Sequence, residues 1–248
     1  MKLSDYINVE KLHSHIENGL VTARRHDKLP LTIYCYSQKA TYGNIWDDVT
    51  RKTRGLIVDD NDNIIARPYE KFFSVDQPGG YSMEEIQAID LGQGSAVITE
   101  KINGHLGIFW QYGIHWGIAT KGSFHSPHAE WATKWLENLI ENHGKLVFPE
   151  GYTPVFEIVC QDIQPHTIKY ASDFISLLSF VNINSGEELP PETTQEYAKR
   201  SNLLTAVHYP FLRFKGVLTH DMDFMEGYVV TWNIPGQAPV KIKIKFPT

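Results

Sequence analysis

Apolar and polar positions alternate with a period of two along much of this chain. Leu31–Ser37 (LTIYCYS), Pro154–Cys160, Phe174–Asn182, Glu226–Trp232 and Val240–Phe246 read as strands, rich in β-branched and aromatic residues. Gly55–Asp59 and Ile64–Arg67, joined by Asp60-Asn61-Asp62-Asn63, predict a β-hairpin with turn-forming side chains at its tip. Ser95–Ile102 and His105–Gln111 flank Asn103-Gly104, a pair suited to a type I′ turn, and predict a second hairpin. A strand over His115–Lys121 follows the turn at Tyr112-Gly113.

Helical periodicity is rarer. Asn8 caps a segment running to Asn18, with Gly19 as its stop. Ser82-Met83-Glu84-Glu85 is a capping box that starts a short helix. Ser126-Pro127 opens a helix to about Asn142, with Trp131, Trp135, Leu136 and Leu139 on its apolar face and Gly144 after it. Another helix is expected near Glu192–Leu203. The predicted class is α+β, with mostly antiparallel sheets and two or three helices packed on them.

A chain of 248 residues buries a sizeable core without disulfides. Its two cysteines, Cys35 and Cys160, have neither a disulfide-framework nor a zinc-site spacing. The 23 basic and 29 acidic residues leave a net charge of −6, which excludes a coat-like, non-specific nucleic-acid binder. Global charge does not exclude a site where a few lysines converge on phosphates. Neither a long apolar run nor a signal-peptide core is present, so a soluble, cytoplasmic protein is expected.

The least ordinary pattern is Val240-Lys241-Ile242-Lys243-Ile244-Lys245-Phe246. In a strand it sets three lysines on one face, about 6.6 Å apart along the chain, where they repel unless an anion sits among them. The plainer reading is an edge strand guarded by charge. In Thr99-Glu100-Lys101-Ile102-Asn103-Gly104, a lysine ends an apolar strand just before a tight turn. K-x-x-G is common by chance, and Lys52-Thr53-Arg54-Gly55 also has it. A lysine becomes a nucleophile when neighbouring cations and partial burial favour its neutral form. Glu157 and Glu226 each interrupt an apolar strand, a position that is costly unless the carboxylate is paired, hydrogen-bonded or bound to metal.

Arg54 and Lys71 flank the first hairpin, Lys71 beside Phe72 and Phe73, and Lys121 precedes a Gly turn. Such residues contact phosphates and stack on bases, or simply pair core aromatics with surface cations. His125 and His128 stand three apart, but no third ligand with an adjacent carboxylate is evident, and a histidine metal site is not expected. The P-loop and dinucleotide-binding glycine patterns are absent.

In order, RGLIVDD, ARPYEKFF, TEKING, TKGS, FEIV, EGYVV and KIK span Arg54 to Lys245. The set resembles the covalent nucleotidyltransferases, and within them the ATP-dependent RNA ligases of the T-even phage tRNA-repair type. That resemblance implies an adenylation domain, with residues 1–90 as its N-terminal α+β portion and 91–248 as its catalytic core, in one continuous unit. It implies ATP, Mg²⁺ or Mn²⁺, and an RNA partner with 5′-phosphate and 3′-OH ends. Lys101 would attack the α-phosphate to give lysyl–AMP, AMP would pass to an RNA 5′-phosphate, and a 3′-OH would displace it. By position, Glu157 resembles the acid that contacts the ribose. Glu226 resembles the acid that supports metal and lysine chemistry, and Lys243 with Lys245 the pair that holds the α-phosphate. Arg54, Lys71, Phe73, Glu100, Gly104, Lys121 and Gly227 fall on further nucleotide-binding positions. The family of this type continues beyond the last lysine strand. The resemblance therefore implies either a fragment of a larger protein that lacks a C-terminal specificity domain, or a minimal ligase with relaxed substrate choice. It adds that missing domain or a separate end-healing enzyme as a partner.

Overall fold

Three sheets carry the architecture in the computed structural model, which describes residues 1–165, 167–220, 222 and 224–247. The first is an antiparallel meander of β1 (Val21–Arg25), β2 (Leu31–Tyr36), β3 (Arg54–Asp59) and β4 (Ile64–Ala66), in that order. The hairpin of β3 and β4 is the one expected: Asp59 accepts the amides of Asn61 and Asn63 across its turn, and Asp62 takes a φ of 61°. β1 has no apolar period. Of its residues only Val21 is buried, and Arg24 and Arg25 guard an edge.

The remaining strands are β5 (Phe73–Ser74), β6 (Val97–Glu100), β7 (His105–Tyr112), β8 (His115–Ala119), β9 (Tyr152–Val159), β10 (Phe174–Asn182), β11 (Leu204–Thr205), β12 (Gly227–Trp232) and β13 (Val240–Lys245). They form a second sheet in the order β11-β10-β9-β7-β8 and a third in the order β5-β13-β12-β6. Pairing is antiparallel except for β10 with β11 and β13 with β5. β13 is therefore flanked on both sides, by β12 along its length and by β5 at Ile242 and Lys243, and is not a bare edge.

The Asn103-Gly104 hairpin does not form. β6 pairs with β12 in the third sheet, while β7 pairs with β8 and β9 in the second. Neither Asn103 nor Gly104 has the positive φ that a type I′ turn requires. Other partners capture the segment: the Lys101 amide donates to Gly227 O at 2.9 Å and the Asn103 amide to Tyr170 Oη at 2.8 Å. A Cβ on Gly104 would stand 2.4 Å from Ile158 O, so only glycine lets the chain press onto β9 here. The chain thus crosses from one sheet to the other, and Lys101 sits at the crossing.

Helices α1 (Val9–Glu17), α2 (Gln38–Tyr42), α3 (Asp48–Lys52), α4 (Met83–Gln93), α5 (Pro127–His143), α6 (Pro191–Arg200) and α7 (Phe214–Val217) pack on these sheets. The Asn8, Ser82 and Ser126 caps are all made, each side chain accepting an amide three residues on. Leu136 of α5 is buried, and Trp131, Trp135 and Leu139 pack with it against Phe156, Ile175 and Phe180 of the second sheet. Ile86 of α4 joins Ile98, Tyr228, Val230 and Trp232 in the core of the third sheet. β2 and β3 meet β7 and β8 through Leu31, Ile33, Ile57, Ile108 and Ala119, tying the first sheet to the second. No helix among the described residues is long and apolar enough to cross a membrane.

Candidate active site

A cavity of about 1220 Å³, its open mouth included, lies between the second and third sheets. Leu106 and Leu178 line it from one sheet and Val229 from the other, while Arg54, Lys101, Glu157 and Lys243 bring charge to it. Its lining mixes apolar side chains with many polar and charged ones, a make-up suited to a polar, charged small molecule.

Lys101 follows directly on β6, and Glu226 precedes β12, which pairs with β6. Lys101 Nζ donates to Glu226 Oε2 at 2.7 Å, and Asn103 Nδ2 donates to the same oxygen at 3.1 Å. Lys245 Nζ stands 3.1 Å from Glu226 Oε1. Burial alone would push the Glu226 carboxyl up. The bonds from Lys101, Asn103 and Lys245 outweigh burial and hold it below its ordinary range. Gly227 has a φ of 147°, and a Cβ there would lie 1.9 Å from Ile244 O, so glycine is required for β13 to close on this site.

The register sets Lys245 opposite Gly227, Lys243 opposite Val229 and Lys241 opposite Thr231. These three lysines share a face but not a fate. Lys245 is half-exposed and paired with Glu226. Lys241 is buried against Glu188, with Nζ 2.9 Å from both carboxylate oxygens and from Thr231 Oγ1. Ser179 donates to Glu188 at 3.1 Å and shares a 2.6 Å hydrogen bond with Tyr69 Oη, which completes a network on the cavity wall. Lys243, between them, has no such carboxylate partner among the described residues. Burial, then Lys245, Lys101 and Arg54, push its ammonium down to about 8.

Glu157, on β9, faces the cavity near the Gly104 amide. Burial pushes its carboxyl up to about 7, against the pull of Lys101 and Arg54. Arg54 stacks over Phe72 at 5.5 Å, and its Nε and Nη1 are buried without a hydrogen-bond partner among the described residues. Buried donors left unpaired are costly unless a ligand meets them. Glu100 lines the cavity and accepts the Val207 amide at 3.2 Å, and burial holds its carboxyl above the ordinary range.

Lys71, Phe73 and Lys121 stand apart from the main cavity. Lys71 Nζ lies 5.4, 5.4 and 5.3 Å from the ring centres of Tyr36, Trp46 and Phe73, and Lys121 Nζ lies 5.2 Å from Tyr36. Burial, then Arg54, Lys243 and Lys121, push Lys71 down to about 7, so this cluster shares the electrostatic field of the cavity. Phe72 lines the cavity together with Tyr69, whereas Phe73 is buried in β5 beside Trp46. Phe72, Asn103 and Lys241 are noticed in the sequence patterns without being placed at the nucleotide site, and Glu188 is not marked there at all.

An excess of cations with orphaned donors fits a polyanion. A divalent ion fits Glu226 only with anionic oxygens from such a ligand, because both carboxylate oxygens already meet ammonium groups.

The sequence profile of the RNA ligase family matches residues 52–246. A search of curated protein sequences finds no match. Among solved structures, an archaeal ATP-dependent RNA ligase is similar over 97% of this chain and 62% of its own, with a TM-score of 0.63 at 13% identity. A putative ATP-dependent DNA ligase from Aquifex aeolicus is similar over 95% of this chain and 62% of its own, at 0.61 and 13%. A Naegleria gruberi RNA ligase variant with AMP and Mn is similar over 96% of this chain and 80% of its own, at 0.51 and 12%. Another chain of that ligase is spanned over 52% of its length, so this chain covers only part of several relatives. At such identities the structural likeness is one of fold. The profile match begins at the end of α3, ahead of Arg54, runs past Lys245 and takes in every residue of this site: the chain belongs to the RNA ligase family.

Proposed function

We propose that this chain is an ATP-dependent RNA ligase that joins a 5′-phosphate to a 3′-hydroxyl end through lysyl–AMP and adenylylated RNA. One observation carries the reading. Lys101 Nζ is held 2.7 Å from Glu226 Oε2 at the seam of two sheets, beside the unpaired Lys243 and the orphaned Arg54 guanidinium. Transfer at phosphorus asks a protein mainly for positioning and for neutralising charge on the non-bridging oxygens. Here Lys101 Nζ bonds to the α-phosphorus as the bond to the pyrophosphate oxygen breaks. Nζ gives up its proton to solvent before the attack, Glu226 orients it through the 2.7 Å contact, and Lys243 and Lys245 face the α-phosphate oxygens. Glu157 accepts a ribose hydroxyl, and Arg54 meets phosphate or ribose oxygens with its free donors. A bound Mg²⁺ or Mn²⁺, held by Glu226 together with phosphate oxygens, would supply further charge neutralisation.

This reading takes residues 1–248 as one nucleotidyltransferase unit acting on RNA breaks in the cytoplasm, with end healing or substrate choice supplied elsewhere. The test is ligation of a short 5′-phosphorylated RNA with ATP and Mg²⁺ or Mn²⁺. Conversion of the 5′-phosphate to a phosphatase-resistant, joined or circular product is expected. Joining of DNA but not RNA, or dependence on GTP, would move the chain to another branch of the superfamily. Nucleotide binding without any covalent step would make it a binding module.

A further inference from the structure

His26 and Asp27 follow β1 directly, and His125 lies in the turn between β8 and α5. The structure brings them together from 98 positions apart, which is why the spacing of His125 and His128 alone showed no ligand set. We propose that His26, Asp27 and His125 bind a divalent transition-metal ion, zinc in the first instance. The ion would clip the β1–β2 connection to the β8–α5 turn.

Asp27 Oδ1 lies 2.8 Å from His125 Nε2 and 3.2 Å from His26 Nδ1, and one ligand atom from each residue falls within 4.8 Å of the others. Ligands around a tetrahedral ion with bonds near 2.0–2.1 Å stand roughly 3.3 Å apart, so small side-chain shifts close the set. The state of His26 is the second observation. Its Nδ1 accepts the amides of Lys28 and Leu29 at 3.1 Å each, which leaves that nitrogen without a proton. An electron-rich nitrogen and a carboxylate oxygen therefore face each other at 3.2 Å with no hydrogen between them. A cation resolves that contact. Coordination trades two shared amide bonds for one stronger bond.

The shell around these ligands is built for position. Trp110 and Phe124 meet the His26 ring edge-on at 5.5 and 5.0 Å, and the two imidazole centres lie 4.9 Å apart. The His125 amide donates to Ser123 Oγ at 3.1 Å, and Glu130 Oε1 lies 3.9 Å from His125 Nδ1. At that distance Glu130 is not hydrogen-bonded to the ring, and it would act as the orienting carboxylate of a ligating imidazole only after moving closer. Asp27 and His125 are exposed, and a groove containing Trp110 and Trp116 opens beside them, so a fourth position is accessible to water or a small ligand. Two imidazoles and one carboxylate favour Zn²⁺, Co²⁺ or Ni²⁺ over Mg²⁺. The site shares no residue with the nucleotide cavity, and the inference stands or falls independently of the ligase reading.

The test uses the full chain stripped with EDTA. Co²⁺ is titrated by visible absorption and Zn²⁺ by calorimetry and by displacement of Co²⁺. One equivalent is expected, with the intense bands of four- or five-coordinate cobalt. Asp27→Asn and His125→Ala should each weaken binding by at least ~10-fold. Both positions are exposed, so circular dichroism should be unchanged, as should adenylylation of Lys101. Absence of a saturable equivalent, or an equivalent that both variants bind as tightly as the parent, would overturn the proposal.

Discussion

Replacing Lys243 with methionine keeps the aliphatic stem on β13 and removes one charge from the cavity. In the free protein that ammonium is half-buried among Lys245, Lys101 and Arg54, and its pKa falls from 10.5 to about 8. At about 1.4 kcal/mol per tenfold, this corresponds to roughly 3 kcal/mol of unfavourable energy carried by the folded state. Water at the cavity mouth screens part of it, so about 1–2 kcal/mol should be recovered by the substitution. For a chain of this size each kcal/mol moves Tm by about 2–4 °C, and a rise of roughly 2–8 °C is expected. The same variant should lose most of its adenylylation, because an α-phosphate would no longer meet this cation. Thermal unfolding at pH 7 and covalent labelling with ATP read the two effects on one preparation. A destabilised Lys243→Met protein would refute the reasoning, for it would mean that Lys243 holds the sheet together and is not held there for a ligand.

Lys241 on the same face should behave oppositely. Lys241→Met strands the buried Glu188 carboxylate and should cost about 3–5 kcal/mol by chemical denaturation, while Lys241→Met with Glu188→Leu should recover most of the loss. Glu157 has a folded pKa of about 7 against an ordinary 4.5, so it binds a proton more tightly when folded. Its stabilising contribution is present in full below about pH 4.5 and is lost as pH rises through about 7. Denaturation midpoints of the parent relative to Glu157→Gln should therefore fall across that window, and a flat difference would contradict the assignment. Gly227→Ala forces a Cβ onto Ile244 O and should cost more than about 4 kcal/mol or abolish soluble expression.

Elements with a strong local signal were legible in the sequence. β10 is rich in β-branched and large apolar residues, and its bounds Phe174–Asn182 coincide with the segment read from the sequence. Capping side chains marked α1, α4 and α5 because those hydrogen bonds are local. β1, β5 and β11 were not legible: VTARR has no alternation, and a two-residue strand exists only through its partner. Asn103-Gly104 misled because turn propensity is local, whereas the pairing of β6 with β12 is decided by residues more than a hundred positions away. At the site, alternation showed that three lysines share a face, but not which of them meets a carboxylate, since Glu188 and Glu226 arrive from other elements. Phe72 and Phe73 are neighbours in sequence, and only the folded arrangement shows that Phe72 lines the main cavity while Phe73 is buried beside Trp46.

The most direct test of the central claim is intact mass after incubation with ATP and Mg²⁺ or Mn²⁺, followed by peptide mapping. The account predicts one AMP adduct, located on Lys101, reversed by pyrophosphate and absent from Lys101→Ala. An adduct that persists in Lys101→Ala, or none with ATP under either metal, would contradict it.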